Sequence, residues 1–337
     1  MVSKIVCFGE ALIDMLARPA EAPGAPRAFL QYAGGAPANV AVAAARLGAR
    51  SHFAGMLGED MFGDFLFDSF TEHGVATDCL VRTGEAKTAL AFVALDAQGE
   101  RSFSFYRPPA ADLLFRAADF SDACFEGTGV FHVCSNSMTA PEIAQVTLAG
   151  MRRAAAAGAT VSLDLNLRPA LWPAGVDPTP TLWQALALAD LVKLSHEELQ
   201  FLAAPLGEEG ERVVRERLLA GATRLLVITD GAAPLHWFTA QDAGSIQPFA
   251  ATTRDSTAAG DAFVGGLLVR IGELGGHAAG FDAFVANRAA IDDAIRFGAA
   301  VGALAVTRFG SFAAMPPPDE VQHLLQNPHA LASSQDA

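Results

Sequence analysis

Residues Thr160–Asn166, TVSLDLN, form a short run rich in apolar and β-branched residues, preceded by the alanine-rich MRRAAAAGA and followed by Pro169. A run this short and apolar, bounded in this way, reads as a strand buried on both faces. The same reading applies to Asp190–Ser195, DLVKLS, and to Arg224–Gly231, RLLVITDG. Helical spacing near 141–157 and 208–220 supplies the connections, so the strands are joined by crossovers and lie parallel. The expected fold class is α/β: a doubly wound, mostly parallel sheet flanked by helices.

Toward the amino end, KIVCFGE reads as a first strand. ALIDMLARP, a Pro/Ala-rich spacer and AFLQYAGG follow it, and helical spacing begins in APANVAVAAARLGA. Thr88–Leu95 and Arg101–Arg107 are β-type runs around a polar, glycine-containing turn, which predicts a hairpin. Residues 11–33 add further strands to it. The expected organisation is a main α/β body of residues 1–10, 34–87 and 112–327, a small β-sheet lid of residues 11–33 and 88–111, and a tail, 328–337, that frays. A lid of this kind covers substrate and excludes water.

Composition narrows the function. Of 337 residues 51% are hydrophobic and 18% charged, the formal charge is −14, and mean hydropathy is +0.28. That acidity argues against a nucleic-acid surface, which needs clustered Lys and Arg. No uninterrupted apolar run reaches membrane-spanning length, and the amino end reads as a strand rather than a signal peptide. The expectation is a cytoplasmic protein without membrane partners. Cys7, Cys79, Cys124 and Cys134 lie far apart, which fits reduced, mostly buried thiols, and the histidines have no metal-ligand spacing. Lys4, Lys87 and Lys193 follow no GxxxxG stretch and no GxGxxG follows a strand, which argues against a P-loop and a dinucleotide fold.

Two stretches carry chemistry. In Asp255–Phe263, DSTAAGDAF, Ser256 and Thr257 are N-cap candidates, and a helix opens near Ala259. Ala258, Ala259 and Gly260 let an anion approach the unpaired N–H groups and the positive end of the helix dipole. Asp261 is then either a group facing that anion or a first-turn acid favoured by the dipole. In Gly34–Gly48, GGAPANVAVAAARLG, the paired glycines permit a tight backbone turn, and Asn39 both donates and accepts, so a polyol can be held there. Alone, this stretch is equally a hinge, a cap and a packing helix.

Together and in this order, the two stretches resemble the signatures of the ribokinase-like (PfkB) carbohydrate kinases, and the likeness runs from Ile5 to about Pro316. The resemblance implies an ATP-dependent sugar kinase with Mg²⁺. Asp14, Gly34, Gly35 and Asn39 would meet the sugar hydroxyls. Ala258, Ala259 and Gly260 would form the anion hole, and Asp261 would accept the proton of the attacking hydroxyl. Ala258 stands where Gly is commoner. A dipole-stabilised carboxylate is a poor strong base, but a loose phosphoryl-transfer transition state needs little early deprotonation.

Further matches extend the resemblance. KLSHEE resembles the family's N-x-x-E motif, with Ser195 in place of Asn and Glu198 organising Mg²⁺ through water; Lys193 and Ser195 are assigned to the nucleotide side. VITDG puts Thr229 and Gly231 near the ATP phosphates, with Pro234 where a further Gly is usual. Asp255, Thr257, Ala305, Arg308 and Gly310 resemble a potassium loop. FYRPPAADLL, DLNLRPALWP and KLSHEELQFL look most like bacterial fructokinases, which implies fructose phosphorylated at O6. Arg107, Asn166 and Arg168 are then substrate-binding. The two arginines also keep open a 2-keto-3-deoxygluconate kinase, and each also reads as a surface or cap ion pair. The same stretches admit a ribokinase of the same family, or a non-catalytic sugar or nucleotide sensor that kept the fold. The resemblance further implies a homodimer through the lid.

Overall fold

In the computed structural model, which describes residues 4–18, 26–95 and 101–331, the chain opens with β1 (Lys4–Phe8), β2 (Leu12–Ala17) and β3 (Phe29–Gly34). Next come α1 (Ala36–Arg46), β4 (Arg50–Gly58), α2 (Met61–Glu72), β5 (Ala76–Thr83), β6 (Ala89–Leu95) and β7 (Arg101–Tyr106). The middle holds β8 (Thr128–Cys134), α3 (Pro141–Ala156), β9 (Thr160–Asp164), α4 (Thr179–Leu186), β10 (Leu191–Ser195), α5 (His196–Ala203) and α6 (Gly210–Leu219). The chain continues through β11 (Leu225–Asp230), β12 (Ala233–Phe238), β13 (Ala243–Ile246), α7 (Ala259–Glu273), α8 (Phe281–Val285), α9 (Arg288–Ala305) and α10 (Pro318–Gln326). The spacer at 19–25, the hairpin turn at 96–100 and residues 332–337 of the expected tail lie outside the described residues.

The large sheet has the order β13-β12-β11-β10-β9-β8-β1-β4-β5. Its pairings from β5 through to β11 are parallel, and β12 and β13 add an antiparallel edge. That edge is absent from the sequence reading; Gly231, at φ 52, makes the short turn between β11 and β12 that allows it. Alternate residues of one strand enter opposite cores. Ile5 and Cys7 pack with α1, α7 and α9, whereas Val6 and Phe8 pack with the α3–α6 layer. In β11, Leu225 and Val227 divide from Leu226 and Ile228 in the same way. Both faces being covered explains why these strands read as continuous apolar runs.

Small residues let the helices on one face approach closely. A methyl on Gly265 of α7 would lie 2.5 Å from the Cβ of Ala43 in α1, and one on Gly266 would lie 2.6 Å from Val301 of α9. The amino end of α7 is thereby held against the sheet. Order reverses at β1, which has β8 on one side and β4 on the other, and a crevice outside the carboxyl ends of such strands is where α/β sheets bind ligands.

A second sheet, ordered β3-β2-β6-β7, stands apart from the first. β2 pairs antiparallel with β3 and parallel with β6, and β6 pairs antiparallel with β7. Asp14 lies opposite Tyr32 in this sheet. Among the described residues, no helix is long and apolar enough to cross a membrane.

Candidate active site

The carboxyl ends of β9 and β10 meet the first turn of α7 at Asp261, which is 5% exposed. Asn39 Nδ2 donates to Asp261 Oδ2 at 2.7 Å, and Asn166 Nδ2 donates to Oδ1 at 2.8 Å. Asn166 has φ 42, a left-handed conformation that asparagine tolerates better than most residues, so the chain turns sharply just beyond β9. Among the described residues, Asn39 Oδ1 and Asn166 Oδ1 are buried without a hydrogen-bond partner. Two acceptors with unmet hydrogen bonds beside a carboxylate suit a hydroxyl-rich ligand.

Burial pushes the Asp261 carboxyl up to about 7 against the hydrogen bond from Asn39; Asp164 adds to the rise, while Arg168 and Lys193 oppose it. The expectation of a carboxylate kept weakly basic by the helix dipole is corrected here. Desolvation outweighs the dipole, because the side chain points into the protein rather than along a solvated first turn. A carboxylate with this pKa is suited to take up a proton near neutral pH.

The first turn of α7 also differs from its sequence reading. Ala258 is the N-cap residue, at φ 61, and no side chain caps the helix; Ser256 and Thr257 do not serve. The Thr257 N–H donates instead to Asp255 Oδ1 at 2.7 Å, and Gly310 N–H donates to Asp255 Oδ2 at 3.2 Å. Asp255 thus ties the cradle to the loop after α9. In that loop the Ala305 carbonyl accepts from Arg308 N–H at 3.1 Å, and the Arg308 side chain pairs with Glu320.

Glycine is required at two positions nearby. A methyl on Gly34 would lie 2.3 Å from Asp14 Oδ2, and one on Gly35, at φ 108, would lie 2.5 Å from the Glu10 carbonyl. The pair lets the end of β3 pass against Asp14 and the end of β1 at once. Ser311 Oγ sits 3.3 Å from Asp14 Oδ2, which links the small sheet to the loop that holds Gly310.

On the other side of Asp261, Lys193 Nζ donates to Asp164 Oδ1 at 3.0 Å and Oδ2 at 3.3 Å. Burial alone would discharge this ammonium; Asp164, Glu198 and Asp261 outweigh it and hold its pKa above the ordinary value. A methyl on Gly260 would come 3.4 Å from Lys193 Nζ, so the cation stands beside the cradle. Ser195 caps α5 in a reciprocal box: Glu198 N–H donates to Ser195 Oγ at 3.1 Å, and Ser195 N–H donates to Glu198 Oε2 at 2.7 Å. Leu167 N–H donates to Glu198 Oε1 at 2.8 Å, and burial raises the Glu198 pKa against the pull of Lys193.

Thr229, Gly231, Ala259 and Gly260 line one cleft of about 620 Å³, a volume that holds a nucleotide-sized ligand. Leu235, Phe249, Ala299, Gly302 and Ala303 form other parts of its wall. The sequence reading missed this wall. Alanines and glycines on α9 have the same signature whether they pack a helix or make room for a flat ring.

Arg107 departs most from the placement expected of a sugar ligand. It is 2% exposed; its Nε and Nη2 donate to Asp112 Oδ2 at 2.8 and 2.6 Å, and Nη1 donates to Thr139 Oγ1 at 3.2 Å. The neighbouring acids Asp112 and Glu10 keep the guanidinium charged against the cost of its burial. Arg168 remains exposed, with Nη1 on the Leu167 carbonyl at 3.3 Å.

A nucleotide-sized cleft that ends on a glycine-lined helix start, with a buried carboxyl of raised pKa just beyond it, defines a small-molecule phosphotransferase. Residues 2–317 match the pfkB family carbohydrate kinase domain, and the chain belongs to that family. The solved fructokinase of Xylella fastidiosa with bound ATP is 58% identical, with a TM-score of 0.93 over 97% of this chain and 99% of that one. A fructokinase double mutant from Vibrio cholerae O395, solved with fructose, ADP and potassium ion, is 33% identical, with a TM-score of 0.83 over 96% and 98% of the two chains. The probable fructokinase-4 of Arabidopsis thaliana is 37% identical over 329 residues, 96% of this chain and 97% of that protein.

Proposed function

We propose that the protein is an ATP-dependent fructokinase that transfers the γ-phosphoryl group of ATP to the O6 hydroxyl of D-fructose. The observation that carries this reading is Asp261, a buried carboxyl with pKa about 7 set between Asn39, Asn166 and the start of α7. Asp14, Gly34, Gly35, Asn39 and Asn166 bind the sugar hydroxyls. Asp261 orients O6 and takes its proton as that oxygen attacks. The backbone of Ala258, Ala259, Gly260 and Asp261 holds the charge on the transferring group, where fixed donors stabilise it without reorganising.

Lys193, Ser195, Thr229 and Gly231 serve the nucleotide. Glu198 fits a water-mediated Mg²⁺ role, because each of its oxygens accepts one backbone N–H and keeps a further lone pair for a metal-bound water. The ion supplies neutralisation of phosphate charge. Asp255, Thr257, Ala305, Arg308 and Gly310 offer the hard oxygen ligands that a K⁺ ion takes. Segments 11–33 and 88–111 act as the lid over a body of residues 1–10, 34–87 and 112–327.

A coupled ADP-release assay with MgATP tests the reading against fructose, 2-keto-3-deoxygluconate, ribose and adenosine, each with and without potassium. Turnover selective for fructose is expected. Arg107 being held by Asp112 favours the uncharged sugar over the keto acid, and selectivity for the keto acid overturns the fructose assignment. Four buried thiols among the described residues support a reducing, cytoplasmic setting.

The lid also supports a homodimer. Phe29, Phe92 and Tyr106 make a row of edge-on ring contacts at 5.3 and 5.2 Å, with Tyr106 67% exposed. An aromatic sheet face of this kind needs a cover, and a second lid supplies one. Light scattering is expected to give twice the chain mass, falling to the monomer in Tyr106→Asp; a monomeric wild-type protein contradicts it.

A further inference from the structure

At the amino ends of the strands along one edge of the large sheet, the end opposite Asp261, a separate cluster of donors meets between β4 and the edge strand β5. His52 Nδ1 lies 2.7 Å from Asp78 Oδ1, and ligand atoms of His52, Asp78 and Cys79 all lie within 4.8 Å of one another. We propose that His52, Asp78 and Cys79 form a binding site for a divalent first-row transition ion, with zinc the best fit to an imidazole, thiolate and carboxylate set.

The backbone explains how neighbours in sequence come to share a site. Successive residues of a regular strand point to opposite faces, so Asp78 and Cys79 would normally diverge. Here His52 lies opposite Ala76 while Ala54 lies opposite Cys79, so two steps along β4 match three along β5. The extra residue is a bulge, a device that re-aims side chains and is rare between parallel strands. It brings Asp78 and Cys79 to the same imidazole.

Exposure suits an ion that enters from solvent. His52 and Cys79 are 9% and 3% exposed, whereas the Asp78 side chain is 49% exposed and can meet an incoming hydrated ion. Three protein donors leave a position open for water or another ligand. Cys124 adjoins it, with its thiol 3.5 Å from Ser121 Oγ. Cys124 and burial push the Cys79 thiol up and Asp78 adds to the rise; Lys4 of β1, held by the carbonyls of Ala123 and Glu126, opposes it, so the thiol keeps its proton until an ion displaces it. Binding replaces the Cys79 thiol proton, which leaves to solvent, while neutral His52 ligates through a ring-nitrogen lone pair and keeps its proton on the other ring nitrogen.

Cobalt tests the site, because Co²⁺ bound to thiolate has a sulfur-to-metal charge-transfer band that oxygen and nitrogen ligands do not produce. Reduced, chelator-treated full-length protein titrated with Co²⁺ is expected to develop this band at one ion per chain and to lose it on addition of Zn²⁺. Cys79→Ser should abolish the band. Asp78→Asn, an exposed change that leaves the fold intact, should weaken Co²⁺ binding by at least about tenfold. A protein that develops no band with its thiols reduced overturns the proposal, as does a band unchanged in both variants.

Discussion

Asp261→Asn lowers kcat by about 10²–10⁴-fold, the usual contribution of a positioned general base, while the dissociation constant for sugar stays within severalfold of wild type. Asparagine keeps the size of the side chain and still accepts from one of Asn39 and Asn166, but its amide nitrogen cannot accept from the other and takes up no proton. In the wild type, kcat rises with pH through about 7, where Asp261 ionises, and levels off above. The variant loses that limb. Stability moves in a defined direction as well. The folded pKa, about 7, stands above the ordinary 3.8, so the contribution of Asp261 to stability is fully present below pH 4 and is lost as pH rises through 7. The difference corresponds to roughly 4 kcal/mol between the protonation states. The melting temperature of Asp261→Asn relative to wild type therefore climbs between pH 4 and 7. Full turnover in the variant, or a pH profile unchanged by it, sinks the assignment of Asp261 as the base.

Arg107→Met costs about 3–5 kcal/mol of stability, the usual penalty for stranding a buried charge. The guanidinium is the direct partner of Asp112, whose side chain is 2% exposed, and its charge also opposes the burial-driven rise of the Glu10 pKa. Glu10 in turn accepts from Asn136, Ser137 and the Ala36 N–H that opens α1, so the loss reaches the start of the helix that bears Asn39. The double variant Arg107→Met/Asp112→Leu recovers much of the lost stability, because removing both partners leaves one unpaired acid fewer. Urea unfolding with a sugar titration distinguishes this structural role from a ligand role. Unchanged stability with a raised KM for sugar would return Arg107 to the binding site.

Much of this was written in local sequence. TVSLDLN, DLVKLS and RLLVITDG are legible as buried strands because a strand covered by helices on both faces needs apolar residues at every position, and that requirement leaves no polar alternation. Gly34 and Gly35 are legible because side-chain-free positions are chemically distinctive, and the start of α7 because small residues precede a long apolar helix. What each such feature does is a separate matter. Ser256 and Thr257 have the right chemistry to cap α7, yet Asp255 binds the Thr257 N–H and Ala258 takes the N-cap position.

The sequence by itself determined the doubly wound sheet, the hairpin runs of the small sheet and the small-residue start of the helix that bears Asp261. Only the tertiary structure decided what those residues are chemically. Asp261 meets Asn39 across 222 residues of chain and Asn166 across 95, and desolvation at that meeting point converts an ordinary first-turn acid into a group that titrates near neutrality. The same holds for Arg107, turned inward to Asp112 rather than outward to a ligand, and for His52, which meets Asp78 and Cys79 through a bulge in β5. Periodicity and motif are properties of neighbours along the chain. A pKa, an ion pair or a metal-binding cluster depends on distance and burial in space, which segments far apart in sequence create together.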